Sequence, residues 1–321
     1  MKIRATVVLG LATGLMLGLP LGAPCSAQSL VPIGVVSGPL VPITIPLTAE
    51  QAEILSHLSI VYLPDGQGGT VKTIEISGIN VRIVNGLGAT NGYSTDPETV
   101  NPVLTDTNGL GNLIVGYNEL GNPDGDDRTG SHNIVFGHGN SFSSFGGIVG
   151  PNDNTISGAF ASVTGGQDNI ASDDWSTVSA GLNNTASGTH ASVSGGDSNI
   201  AMGDGASVSG GTYGTASGTF SSVSGGMGNS ATALYSSVTS GASNLASGTA
   251  SAVTGGFGNA AIAVSSSVSG GGFNASTASY GSVSGGYLNT AAGFLSSVSG
   301  GNSRSVTGHS DWRGGGLFQN Y

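Results

Sequence analysis

The chain has 321 residues and a formal charge of −11, with 58 glycines and only 8% charged and 6% aromatic residues. So few large apolar side chains exclude a conventional globular core, and a mean hydropathy of +0.15 excludes the low-hydropathy, high-charge composition of a disordered chain. The acidic balance also argues against nucleic acid or an anionic lipid surface as a partner, since both require clustered Lys and Arg.

Lys2 and Arg4 precede an apolar run from Ala5 to Leu21, which ends in the small residues Cys25-Ser26-Ala27. This is the pattern of a secretory signal peptide over residues 1–27, cleaved before Gln28. The run is short for an anchor and lacks a stop-transfer pattern. The mature chain is therefore expected to carry no membrane span and to be secreted or held at a bacterial cell surface. Cys25 is the one cysteine. It leaves with the signal, unless it is lipidated, and Pro24 beside it disfavours that alternative. No disulfide then staples the mature chain.

Residues 28–47 contain Pro32, Pro39, Pro42 and Pro46 and read as an extended arm, because proline cannot donate to a ladder. Thr48–Leu58 is the helical candidate. Thr48 can cap it, Gln51 stands at the capping-box position, and Ile54, Leu55 and Leu58 form an apolar stripe. Such a short helix is marginal alone. With the strand that follows, it makes a capping segment over 48–69 that is expected to nucleate assembly.

From Ser59 the apolar period becomes two, in SIVYL, TVKTIEI and GINVRIVNG. GNLIVGYN (111–118) and HNIVFGHGN (132–140) share the order Asn, three apolar residues, Gly, Asn. Residues 70–146 therefore read as irregular lead-in coils, with an inserted loop at 119–131.

Residues 147–308 form an array indexed by valine. Val163, Val178, Val193, Val208, Val223, Val238, Val253, Val268, Val283 and Val298 lie 15 residues apart, and Ile148 extends the register upstream. Each unit reads approximately T-A-S-G-x-x-A-S-V-S-G-G-x-x-N. A Gly column stands three residues after Val, an Asn column six after it, and an Ala column seven before it. Invariant Gly implies a corner with φ > 0. Asn can occupy the left-handed region and stack its amides from coil to coil. Between corners, alternation points Val193 and Ala191 inward and Ser192 and Ser194 outward.

The fold class is thus all-β, a parallel β-solenoid of 15-residue coils with a short N-terminal helix, coils stacked about 4.8 Å apart. Residues 309–321 are expected to cap it, with Trp312, Leu317 and Phe318 covering the last coil. One Val and two small residues per coil make a thin core, so a homo-oligomer is expected.

Ser192-Val193-Ser194-Gly195-Gly196 and Ala186-Ser187-Gly188, with their equivalents across 147–304, resemble the head repeats of YadA-like trimeric autotransporter adhesins. The resemblance implies a left-handed β-roll, a trimer, and adhesion to host or neighbouring surfaces. Ser-Gly-Gly follows the Val where that family has a second apolar residue, and no heptad stalk follows the repeats. The units are also similar to uncharacterised secreted bacterial proteins with S-V-S-G-G and N-T-A-S-G repeats, which implies no defined activity.

Three residues before each Val is a column that alternates between aromatic and small residues. Trp175, Phe220, Tyr235 and Tyr280 are its candidates for binding a glycan or protein surface by ring contact; inter-subunit packing is the structural alternative. The outward serines could present a flat hydroxyl array to ice or mineral, although Ser lacks the methyl of Thr. In the inserted loop, Asp124, Asp126 and Asp127 are candidate calcium ligands by their spacing, against a solvated turn. His57, His132, His138, His190 and His309 are too scattered for a metal site. No phosphate loop, zinc motif or nucleophile elbow is present, and the adjacent Asp173 and Asp174 would point to opposite faces of a strand. The sequence reads as a non-enzymatic structural or adhesive rod, with a carbohydrate-binding module as the alternative.

Overall fold

A computed structural model describes residues 46–314 and 317–319. The expected signal peptide, Cys25 and nearly all of the Pro-rich arm lie outside the described residues. The chain divides into two compact units, with the boundary between Val81 and Arg82.

In the first unit, Ala49–Ser56 is helical (α1). The capping box forms as its residues require: the Gln51 amide donates to Thr48 Oγ1 at 3.2 Å, and the Thr48 amide to Gln51 Oε1 at 3.0 Å. The helix stops at His57, short of the expected Leu58, because Leu58 opens a strand. Leu58–Pro64 (β1) and Thr70–Ile76 (β2) pair antiparallel. The Asp65 carboxylate fixes their turn by accepting from the Gln67 and Gly69 amides, both at 2.8 Å, and these bonds hold it below the usual carboxylate range. Residues 70–76 are therefore half of a hairpin and not a lead-in coil. A Gly-rich turn lets two neighbouring β-runs fold back on each other, a pairing that needs no crossover.

In the second unit, the coils of a parallel β-solenoid build two long sheets. One has 15 strands and runs from Leu113–Val115 to Leu317–Gln319; the other has 12 strands, from Ser141–Phe142 to Ser305–Val306. A typical coil contributes Ser192–Val193 to the first sheet, a single bridging residue, Asp197, and Ile200–Ala201 to the second. Consecutive coils pair in full register, so Val178, Val193 and Val208 stack, as do Ala186, Ala201 and Ala216.

The period-two alternation explains the core. Val163 through Val298 are at most 1% exposed, and the stacked alanines from Ala171 to Ala261 are fully buried. Between them runs a buried asparagine ladder. The Asn184 amide N–H donates to Asn169 Oδ1 at 3.0 Å, and the Asn199 amide N–H to Asn184 Oδ1 at 3.0 Å. Asn184 Nδ2 donates to the Gly196 carbonyl at 3.0 Å. The side chain thus ties the next coil to its own, and Asn184 Nδ2 also reaches back to Asn169 Oδ1 at 3.1 Å.

Two details depart from the sequence reading. The left-handed residue at this corner is the one before each Asn: Asp168 (φ +54°), Asn183 (+54°), Ser198 (+56°) and Ser243 (+57°). The Asn itself must point inward to bond its neighbours, so the exposed residue before it takes the turn. Upstream, Val149 and not Ile148 continues the valine column, since Val149 pairs with Val163 and Ile148 with Ser162. The coil through Gly150 and Pro151 is one residue short, and a one-residue slip reverses which side chain faces inward.

The ends differ. At the C-terminus, Trp312–Gly314 adds parallel to Ser297–Gly300, and Leu317–Gln319 then folds back antiparallel on it. Trp312 Nε1 donates to Ser299 Oγ at 2.7 Å. At the N-terminal end, Ile114 in the first strand is 49% exposed, whereas Val135, stacked on it, is fully buried.

Replacing Asn184 by Ala leaves the buried Asn199 amide without its acceptor and should destabilise the solenoid by about 1–3 kcal/mol. Replacing the exposed Ser194 by Ala should change stability by less than about 0.5 kcal/mol. Urea denaturation of the two variants checks the difference.

Candidate functional site

Each regular coil holds three residues at positive φ. They are the Gly after the valine strand, the residue before Asn, and the residue three before Val. The Gly is required by space as well as by φ, since a Cβ on Gly196 would strike the Gly211 carbonyl oxygen. The third position is the aromatic column. Phe160 (φ +58°), Trp175 (+55°), His190 (+58°), Phe220 (+54°), Tyr235 (+57°) and Tyr280 (+59°) all turn a corner there. Their side chains stand outward, with Trp175 41% and Tyr235 57% exposed.

The coil spacing brings these rings onto one another. Trp175 stacks on Phe160 at 6.0 Å with an interplanar angle of 17°, and on His190 at 4.9 Å and 4°. Phe145 meets Phe160 edge-on at 5.3 Å. Phe220 and Tyr235 form a second stack at 5.5 Å and 10°. Gly205 stands between the two stacks, so Trp175 and Phe220 do not share one continuous surface. Tyr280 packs edge-on against Phe294 at 5.7 Å instead of joining its own column, whose preceding members are Ala250 and Ser265.

A second aromatic cluster lies at the asparagine corner, where Phe273 meets Phe257 at 5.1 Å and Tyr287 at 5.8 Å. The same 15-residue indexing exposes it. Phe257 and Tyr287 stand four residues after Val253 and Val283, and Phe273 five after Val268.

Stacking decides what the rings can do. Both faces of Trp175 are covered, by Phe160 and by His190, so its edge meets solvent. Tyr235 has Phe220 on one side only; the next residue of its column is Ala250, which has no ring.

The expected calcium ligands do not converge. Asp126 accepts from the Gly121 and Asn122 amides at 3.0 and 3.3 Å and lies 3.9 Å from Arg128 Nη2. Asp127 Oδ1 accepts from the Thr129 amide at 2.9 Å and from its hydroxyl at 2.7 Å. Asp124 instead lines a groove of about 300 Å³ with Pro123, Asp168, Ile170, Asn183 and Thr185. Among the described residues, no group of three or more His, Cys, Asp or Glu side chains gathers in a metal-binding arrangement. Short acidic side chains in a turn bond first to their own backbone amides, and that is how Asp126 and Asp127 are used.

Asp168, across the groove from the loop, is half-buried at a left-handed corner. Burial, reinforced by the Asp153 and Asp124 carboxylates, raises it above the usual carboxylate range, against an opposing hydrogen bond from the Gln167 side chain. Asp153 itself lies 3.6 Å from His138 Nδ1.

Among the described residues, no helix is long and apolar enough to cross a membrane. No protein-family model and no curated protein matches the chain.

Two predictions follow from the corners. Ala250 (φ +55°) bears the steric penalty of a left-handed residue without the compensation of a stack. Ala250→Gly should therefore stabilise the protein by about 1 kcal/mol, whereas Trp175→Gly should not, because it also removes a ring stacked on both faces. Asp168 keeps its proton to higher pH in the folded state than in the unfolded one, so its contribution to stability declines as pH rises through that range. Asp168→Asn should raise the denaturation midpoint at neutral pH. The gain should shrink once the medium is more acidic than about pH 4, where the carboxyl is protonated in both states.

Proposed function

We propose that the mature chain is a secreted, non-enzymatic rod that works as a homo-oligomer and offers a repetitive adhesive surface. The observation that carries this reading is the ordering of the outward columns. Exposed side chains repeat in register from coil to coil, and ring stacks run along the rod where the column is aromatic. Such a surface can make the same weak contact many times, and multiple simultaneous contacts raise avidity without any single strong site. The resemblance to YadA-like heads adds three copies and a left-handed coil to the proposal.

Oligomer formation is supported by the narrow core and by the exposure of large side chains. Phe220 is 53% exposed and Tyr280 53%, more than a lone soluble rod gains by leaving to water. Static light scattering of the mature protein should return three times the chain mass. A clean monomer would reject the oligomer, and an unchanged mass for a Phe220→Ser, Tyr280→Ser variant would remove the aromatic column from the interface.

A glycan-binding reading survives at one place. Stacking a sugar requires an open ring face, and Tyr235 has one on the side of Ala250. On a glycan array, Tyr235→Ala should lower retention while Trp175→Ala, whose faces are already covered, should leave it unchanged. Equal retention of both variants and the parent would make the column purely structural.

A further inference from the structure

Ahead of the regular repeats, residues 85–108 lie against the first coils and are held there by few bonds. Asn108 donates from its amide to Ser131 Oγ at 3.1 Å and accepts from that hydroxyl on Oδ1 at 3.2 Å, while its Nδ2 donates to the Asn85 carbonyl of the same segment at 2.9 Å. The other attachment is His132. Its Nε2 accepts from the Asn85 amide N–H at 3.1 Å, and its Nδ1 lies 3.0 Å from the Thr90 carbonyl oxygen. An amide N–H can only donate and a carbonyl can only accept. The ring must therefore carry its single proton on Nδ1 and keep a bare lone pair on Nε2.

His132 also occupies the left-handed corner three residues before Val135, with φ +58°, so it belongs to the same column as Trp175. Here the column's side chain reaches back to the preceding segment instead of stacking on a ring. The imidazole lines a cavity of about 420 Å³ with Arg82, Val84, Asn85, Thr90 and Pro97. Arg82 is the charged residue in that lining. Asp96, Glu98 and Asp106 of the same segment stand outside it, and neither Gly111, against the His132 ring, nor Phe145, bridged to Ser131, brings a charge.

We propose that His132 is a pH-sensitive latch, closing residues 85–108 over the N-terminal end of the solenoid when neutral and releasing them when it takes a second proton. A proton on Nε2 would turn the ring's acceptor into a donor facing the Asn85 N–H, and the new charge would share the cavity with Arg82. A second proton on the ring therefore opposes closure, so acid favours opening and base keeps the latch shut. The segment has little else to hold it. Asn85 is 5% exposed, yet its Nδ2 has no hydrogen-bond partner. Opening would uncover Ser131, which is fully buried in the closed form.

Amide hydrogen exchange on the mature protein at about pH 8 and about pH 5 tests the latch, with protection corrected for the intrinsic pH dependence of exchange. Protection of the Asn85 amide should fall by about tenfold or more at the lower pH, while that of Asn199, in a ladder without titratable partners, stays constant. His132→Gln offers one acceptor and one donor but does not titrate, and should hold Asn85 equally at both pH values. An unchanged Asn85 amide in the parent protein would overturn the proposal, as would a His132→Gln variant that opens with acid in the same way. Imidazole ¹⁵N shifts give a second reading in the parent chain. The bare Nε2 must become protonated over the same pH range in which Asn85 loses protection, and titration outside that range refutes the latch.

Discussion

A solenoid coil has only two neighbours, the coil before it and the coil after it, and every buried group must find its partner there or within its own coil. This constraint orders the whole of the second unit. Parallel in-register stacking places each residue on its own equivalent, so a column tolerates only residues that can partner themselves. Valine and alanine do so by packing. Asparagine does so by bonding, since its side-chain oxygen accepts from a backbone N–H of the next coil while its Nδ2 donates to corner carbonyls of its own coil and of the next. The serines at Ser192 and Ser194 do so by facing water. An inward polar residue unable to accept and donate along the axis would leave an orphaned amide in every coil it occupied.

The corners follow from the same constraint. Closing a coil in so few residues requires left-handed backbone at three places, and only the Gly column is free of the associated steric penalty. At the other two the turn falls on exposed residues whose side chains are unconstrained by the core. In the aromatic column, ring stacking along the axis offsets part of the penalty. Trp175 between Phe160 and His190 is the clearest instance, and its covered faces are also why this column is a poor sugar platform over most of its length. An array that looks like a row of binding sites in one dimension is, at Trp175, a stack closed on itself.

The two ends meet the constraint differently, because a terminal coil lacks one neighbour. At the C-terminus an antiparallel strand, Leu317–Gln319, reverses the ladder and ends parallel addition. Near the N-terminus, the segment carrying Asn85 and Asn108 borrows hydrogen bonds from Ser131 and His132. The column position that elsewhere stacks rings there holds a titratable group against two backbone partners. A regular array thus becomes chemically individual only where the repeat breaks.

Much of this was legible in one dimension. The valine period, the glycine corners, the inward alanines and the capping box at Thr48 and Gln51 are local patterns, and each follows from side-chain alternation, φ preference or a fixed spacing. Repetition reinforces them, because the same pattern recurs in coil after coil. Tertiary structure alone decided the features that depend on which strand pairs with which. It set Thr70–Ile76 in a hairpin, moved the valine register from Ile148 to Val149, and shifted the left-handed turn from each Asn to the residue before it. It also separated Asp124 from the carboxylates of Asp126 and Asp127, which bond to backbone amides of their own loop. In every such case sequence specified the chemistry of a side chain, while its partner was chosen by stacking across coils or by closure of a turn. Pairing of that kind has no signature in composition or spacing, since the same residues satisfy either register until a neighbour is in place.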